Sequence, residues 1–443
     1  MKSPRREQED VHGLKIELCK DIGNVTELPE PVQVLAPVKR TMAAKSLHRY
    51  KFSNAGSAMF VILNPSDTPI AQGMSGKVFL GQFGDGPASM QTCIIKQQKY
   101  SDDFVKELVI QTKLFCDLRR TGGAGRGTAT IPKPLFCAHA ENSTFFGMSK
   151  AEASVGAYLK QIRKDIIALR AHSAALATMD PHSKDFSDHR KKLDELTVLY
   201  PGLRSDPNAP GVLCAFIRDV FLQLCPLLAY LQDRFEFMHG DMHAKNVMIT
   251  ARPFRVYLID FGYSSAALPG FAERISACKR YRNKPFDPSL DLLMNVESVA
   301  QGVGYADPSA ALAHRMLMTI NGGAWNRVLK QRCTSADAPE CRVQAKFKKS
   351  PKTKFHCFYE LALGLRHDRT APERLLAFFK TERFDASGAW IPSDDEKGYY
   401  VRSDGSLAYH ADDTTTKIGK SMLMSQLGLG DMSSLMGTKR FRI

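Results

Sequence analysis

The stretch His239-Gly240-Asp241-Met242-His243-Ala244-Lys245-Asn246 decides how this chain is read. It runs into two apolar segments, Val247-Met248-Ile249 and Val256-Tyr257-Leu258-Ile259, and the second ends in Asp260-Phe261-Gly262. Short β-branched runs bounded by polar residues read as strands, and two so close in sequence read as a hairpin. Asn246 stands five positions after Asp241, and Asp260 stands fourteen after Asn246. A hairpin of that length returns Asp260 beside Asn246, so three oxygen-bearing side chains converge at one mouth. Two of them suit a hard cation such as Mg²⁺, which takes oxygen ligands and phosphate. The third can accept a proton from a hydroxyl nucleophile.

Outward from this stretch the chain changes period. Upstream lie short β-type runs at Met59 to Leu63, Val78 to Phe83, Thr92 to Lys96, Ile131 to Ala138 and Thr144 to Met148. Among them, Ser101 to Arg119 reads as a helix. Ser101 is its N-cap, Asp102 and Asp103 suit its positive end, and Phe104, Leu108 and Phe115 share a face. Thr121 to Thr128 is glycine-rich and reads as a loop. After about residue 150 the period is helical. Leu213, Ile217, Val220, Phe221, Leu224, Leu228 and Leu231 line a long helix in which Pro226 predicts a kink. The expected fold class is α+β and bilobal. A small β-rich lobe spans 55–150 and a larger, mainly helical lobe spans 151–420, with a charged helical insertion near 160–207. Residues 1–54 read as an N-terminal extension and 421–443 as a flexible tail.

The chain has 443 residues, 44% of them apolar and 24% charged. That is ordinary globular usage and excludes a collagen-like, mucin-like or wholly disordered chain. No run approaches the roughly 18 apolar residues of a membrane helix. Met1 to Arg6 leads into an acidic stretch, so no secretory signal and no membrane insertion are expected, and the location reads as intracellular and cytoplasmic. The 61 basic residues exceed the 46 acidic ones by 15, which favours anionic partners without choosing among them. None of the 10 cysteines forms a C-x-x-C pair, so reduced thiols are expected rather than a zinc site.

The catalytic-loop and D-F-G residues resemble the protein-kinase-like superfamily over roughly residues 55 to 300. The resemblance implies ATP and Mg²⁺ as cofactors. It makes Asp241 the catalytic base, Asn246 and Asp260 the metal ligands, and His239 a structural residue under the D-F-G turn. His243 and Lys245 join the catalytic candidates as members of the same loop. Ala71-Gln72-Gly73-Met74-Ser75-Gly76-Lys77-Val78 resembles the glycine-rich phosphate loop, with Ala71 in place of its first Gly. Gly73, Ser75, Gly76 and Val78 would then meet the nucleotide, because glycine lets backbone N–H groups approach phosphate closely. Cys93-Ile94-Ile95-Lys96 resembles the V-A-I-K strand, so Lys96 should reach the α and β phosphates with Glu107 as its partner. Phe146 to Ala151 falls where the interlobe hinge belongs. The backbone of Ser149, Lys150 and Ala151 would meet adenine, and Met148 would guard the back of the pocket. Asp291 fits the buried aspartate of the helix beneath the catalytic loop.

Three departures shape the functional reading. Gly240 stands where most protein kinases carry the Arg that pairs with an activation-loop phosphate, so no such switch is expected. His243 stands where serine/threonine kinases usually carry Lys. No A-P-E follows Gly262, and Asp291 comes 29 residues after it, so the platform for a protein substrate is shortened. The form H-G-D-x-H is common in small-molecule kinases and in kinase-like proteins of large DNA viruses. Phe104 to Gln111 and Leu258 to Ser264 resemble the serine/threonine kinase-like proteins of nucleocytoplasmic large DNA viruses, which implies host cytoplasm or virion as the location. The expected function is transfer of the γ-phosphoryl group of ATP to Ser or Thr hydroxyls of a protein. The basic run Lys279 to Lys284 suits an acidic or phosphorylated substrate. A second basic stretch, Arg342 to Lys354, reads as a surface loop ahead of a nucleic-acid contact. Two alternatives stay open: a small-molecule kinase of the aminoglycoside or choline type, and a non-catalytic scaffold. The presence together of Lys96, Asp241, Asn246 and Asp260 weighs against the scaffold.

Overall fold

Phe79, Gly81 and Phe83 alternate with less buried neighbours along one strand, the period-2 signature of a sheet with one covered face. The computed structural model describes residues 48–51, 59–63, 69–73, 76–84, 89–99, 101–122, 129–140, 143–199, 211–278, 285–305, 307, 309–310, 312–320, 359, 362–363, 369–384, 390–391, 398–401 and 407–410. The chain is mixed α+β and divides into two units. The first comprises Met1–Glu152, Tyr230–Asp241 and Met248–Phe286. The second comprises Ala153–Ala229, Met242–Val247 and Asp287–Ile443. Ser75, residues 123–128, both basic runs (279–284 and 342–354) and the tail 421–443 lie outside the described residues.

The first unit is built on an antiparallel sheet of β1 (His48–Lys51), β2 (Met59–Ile62), β3 (Ala71–Gly73), β4 (Gly76–Gly84), β5 (Gln91–Lys99), β6 (Pro134–Ala140) and β7 (Ser143–Ser149). Its order is β1-β2-β4-β5-β7-β6, with β3 paired to β4 beside this path. The sheet therefore begins at His48, inside the segment expected to be an N-terminal extension. Helix α1 (Asp102–Arg120) follows β5. Ser101 caps it by accepting the Phe104 N–H at 3.2 Å, and acidic Asp102 and Asp103 at one end and basic Arg119 and Arg120 at the other match the helix dipole. Phe104 and Leu108 of α1 pack with Phe146 and Met148 of β7. Burying such side chains contributes about 1.5–3 kcal/mol each, which fixes α1 on the sheet. Strands β8 (Val247–Ala251) and β9 (Phe254–Leu258) pair as the expected hairpin. A short 3₁₀ turn, Phe261–Tyr263, leads to β10 (Ser265–Ala266), which pairs with β11 (Ile275–Ser276).

The second unit is mainly helical. The stretch expected as an insertion near 160–207 holds most of α2 (Val155–Leu176) and all of α3 (Lys184–Leu199). Helix α4 (Gly211–Phe235) runs through Pro226, and its last residues, from Tyr230, belong to the first unit. It is long and apolar enough to cross a membrane, which corrects the expectation that no run would be. Its burial is that of a core helix: Val220, Phe221, Leu224, Cys225, Leu227, Leu228 and Leu231 are wholly buried. Helices α5 (Leu290–Val303) and α6 (Ala371–Thr381) follow.

Candidate active site

Lys96 sits on β5, a central strand, opposite Val78 on one side and Phe146 on the other. Its ammonium is buried, and a buried charge must be paired or its desolvation goes uncompensated. Two carboxylates pair it. Nζ donates to Glu107 Oε1 at 2.5 Å and to Asp260 Oδ1 at 3.0 Å. Glu107 comes from the first half of α1, and Asp260 follows the β8–β9 hairpin. Burial pulls the Lys96 pKa down, but the charges of Glu107 and Asp260 outweigh it and hold the ammonium well above the ordinary lysine value. Burial pushes the Glu107 carboxyl up against the pull of Lys96. Burial also opposes ionisation of Asp260, but the Lys96 charge and hydrogen bond carry it below the usual carboxylate range.

The two carboxylates are not equivalent. The Glu107 side chain is 4% exposed and that of Asp260 is 42% exposed. Glu107 is sealed against Lys96, while Asp260 keeps an open face. With all three groups ionised the trio carries a net charge of minus one. An open carboxylate on a net negative cluster suits a hard cation, and the cation in turn suits phosphate.

Asp260 has φ 62° and ψ 77°, the left-handed region, which costs a residue with a Cβ about 1–2 kcal/mol. Its neighbours hold it there. Phe261 is wholly buried, with its ring centroid 5.9 Å from that of Phe237 and 5.4 Å from that of His239. His239 Nε2 donates to the carbonyl of Ile259 at 2.8 Å, so that nitrogen carries the proton. His239 thus packs under the D-F-G turn as expected. Gly240 has φ +75°, and a Cβ there would lie 2.6 Å from the Tyr263 carbonyl oxygen. The glycine therefore has a steric cause.

Gly73 and Gly76 face each other across the β3–β4 turn. Gly76 has φ +136°, and a Cβ there would collide with the Gln97 carbonyl. Met148 lies opposite Ile94 and is buried with Phe104, Leu108 and Phe146. Ser149 donates its N–H to Lys133 O at 2.9 Å. Lys150 is exposed just beyond β7. Asp241 is half-buried and closes its segment of the first unit.

Asn246, His243 and Lys245 lie in the second unit. Asn246 is buried and donates its N–H to His243 O at 2.8 Å, His243 is half-buried, and Lys245 is exposed. Helix α5 supports this loop. Asn295 Nδ2 donates to Met242 O at 3.2 Å, and Ser298 Oγ accepts the Ala244 N–H at 2.6 Å. Asp291, at the start of α5, is wholly buried. Asn295 and Ser298 were not singled out from the sequence. Their signal was there: Asp291, Asn295 and Ser298 recur at helical spacing along one face of an otherwise apolar helix.

Among the described residues, no group of three or more His, Cys, Asp or Glu is placed to hold a metal ion. The chain matches no protein-family model and no curated protein.

Proposed function

We propose that the protein is an ATP-dependent kinase with a bilobal protein-kinase-like fold, transferring the γ-phosphoryl group to Ser or Thr hydroxyls of a protein. One observation carries this reading: Lys96 is held between a sealed Glu107 and an open Asp260. One acid would suffice to balance a buried lysine charge. The second carboxylate leaves the cluster negative and open, which fits a site that takes a divalent cation with its phosphates.

In this reading Lys96 orients the α and β phosphates, with Glu107 fixing its position. Asp241 accepts the proton of the attacking hydroxyl, and Asn246 and Asp260 hold Mg²⁺. When bound, Mg²⁺ supplies neutralisation of charge on the transferred group. The contribution of the chain is positioning and fixed charge rather than covalent chemistry. Gly240 favours a second reading. Its backbone leaves no room for the Arg of regulated protein kinases, and H-G-D-x-H loops also serve small-molecule kinases.

The test is transfer from γ-labelled ATP with Mg²⁺ by wild type and Asp260→Ala, offered a basic protein, an acidic protein and a panel of hydroxylated metabolites. Label on protein that vanishes in the variant is expected. Label confined to metabolites selects the second reading. Transfer that survives Asp260→Ala, or an absence of both transfer and calorimetric ATP binding, overturns the proposal.

A further inference from the structure

We infer that Asp117, Tyr230 and Arg234 form a remote positioning device that holds Glu107 and Asp260 in place around Lys96; its catalytic consequence rests on the kinase reading above. Asp117 lies in the last turns of α1, ten residues after Glu107 and so about 15 Å further along the helix. It is 8% exposed, and its carboxylate gathers donors from two helices. Tyr230 Oη donates to Oδ2 at 2.5 Å, and Arg234 Nε meets the same oxygen at 2.9 Å. Arg120 Nη2 donates to Oδ1 at 2.8 Å. Thr121 closes the cluster, with its hydroxyl 2.9 Å from Tyr230 Oη and 2.8 Å from the Asp117 carbonyl.

Tyr230 and Arg234 stand one turn apart at the end of α4. That end leads within a few residues to His239, whose ring holds the Ile259 carbonyl immediately before Asp260. The cluster therefore joins the two pieces of backbone that deliver the two carboxylates of Lys96: α1 brings Glu107, and the segment after α4 braces Asp260. Asp117 is buried while Arg120 and Arg234 keep solvent-exposed faces. Charge-assisted hydrogen bonds to such a carboxylate are short and directional, so the cluster fixes the axis and rotation of α1. Burial opposes ionisation of Asp117, but the Tyr230, Arg120 and Arg234 contacts keep its carboxyl below the usual range, so it is a full charge at neutral pH.

The test compares full-length wild type, Tyr230→Phe, Asp117→Asn and the control Arg190→Ala, which removes an exposed ion pair with Asp194 on α3. Amide exchange should quicken in Tyr230→Phe at residues 104–112, more than a helical turn from the lesion, and the KM for ATP should rise about tenfold with a smaller change in kcat. Arg190→Ala should match wild type in both. Tyr230→Phe removes one oxygen and keeps the ring, so it reads the effect even if Asp117→Asn fails to fold. Faster exchange confined to residues 117–122, or an unchanged KM, overturns the inference. A wild type that transfers no phosphate overturns the kinase reading alone, and exchange at 104–112 then decides the mechanical link by itself.

Discussion

Gly240 meets the backbone of Tyr263 so closely that a Cβ would sit 2.6 Å from the Tyr263 carbonyl oxygen, and its φ of +75° lies where L-residues are strained. Gly240→Ala should therefore destabilise the protein by at least about 2 kcal/mol, combining the left-handed backbone cost with the steric clash. Gly240→Arg should be no better tolerated. Equilibrium denaturation measures this, and an Ala variant as stable as wild type would show that the close approach relaxes freely.

Lys96→Met removes the partner of a Glu107 carboxylate that is 4% exposed. Breaking one side of a buried pair costs about 3–5 kcal/mol, because the surviving charge is stranded. The double variant Lys96→Met/Glu107→Leu should recover much of that loss. A double-mutant cycle reads the coupling, and single effects that simply add would sink the claim that the pair acts as a unit.

The Asp117 carboxyl is lowered below its ordinary 3.8, so its contribution is complete above that value and is lost as pH falls beneath it. Tyr230→Phe removes one cause of the shift. The stability gap between wild type and Tyr230→Phe should therefore narrow between pH 5 and pH 2. Lys96 runs the other way: its value is raised, so its contribution is present below 10.5 and persists well above it. A gap that widens in acid contradicts the assignment of Asp117 as the charged acceptor.

Ser298→Ala leaves the Ala244 N–H without its 2.6 Å acceptor. A buried unsatisfied donor costs about 1–3 kcal/mol. Under the kinase proposal, because Ala244 lies within the loop of His243, Lys245 and Asn246, kcat should fall more than the KM for ATP changes. Steady-state kinetics beside a denaturation curve separates the two. Lost stability with unchanged kcat would make Ser298 a packing residue only.

Local signals explain what was legible beforehand. Ser101 and the paired acids after it announced α1 almost to the residue. The hairpin of β8 and β9 followed from two apolar runs, whereas the Lys96–Glu107 pair was expected only through the resemblance of Cys93 to Lys96 to a V-A-I-K strand. What escaped was long-range or polar. Strand β1 reads His48-Arg49-Tyr50-Lys51, and an edge strand of that composition shows no apolar alternation. Helix α4 is apolar on most sides because it is a core helix, a pattern that composition alone shares with membrane spans. The bonds from Ser298 to Ala244 and from Tyr230 to Asp117 join positions 54 and 113 residues apart, and no local pattern encodes such partners.

The placement of β1 has a practical consequence for any shortened form of the protein. His48 to Lys51 covers the outer hydrogen-bonding row of β2, pairing residue by residue with Met59 to Ile62. A chain trimmed to begin at residue 55 would lay that row bare along Met59-Phe60-Val61-Ile62, a short apolar strand with high β-propensity and no charge. Such a row is a template for other molecules, and the trimmed chain should self-associate into β-rich aggregates where the full chain does not.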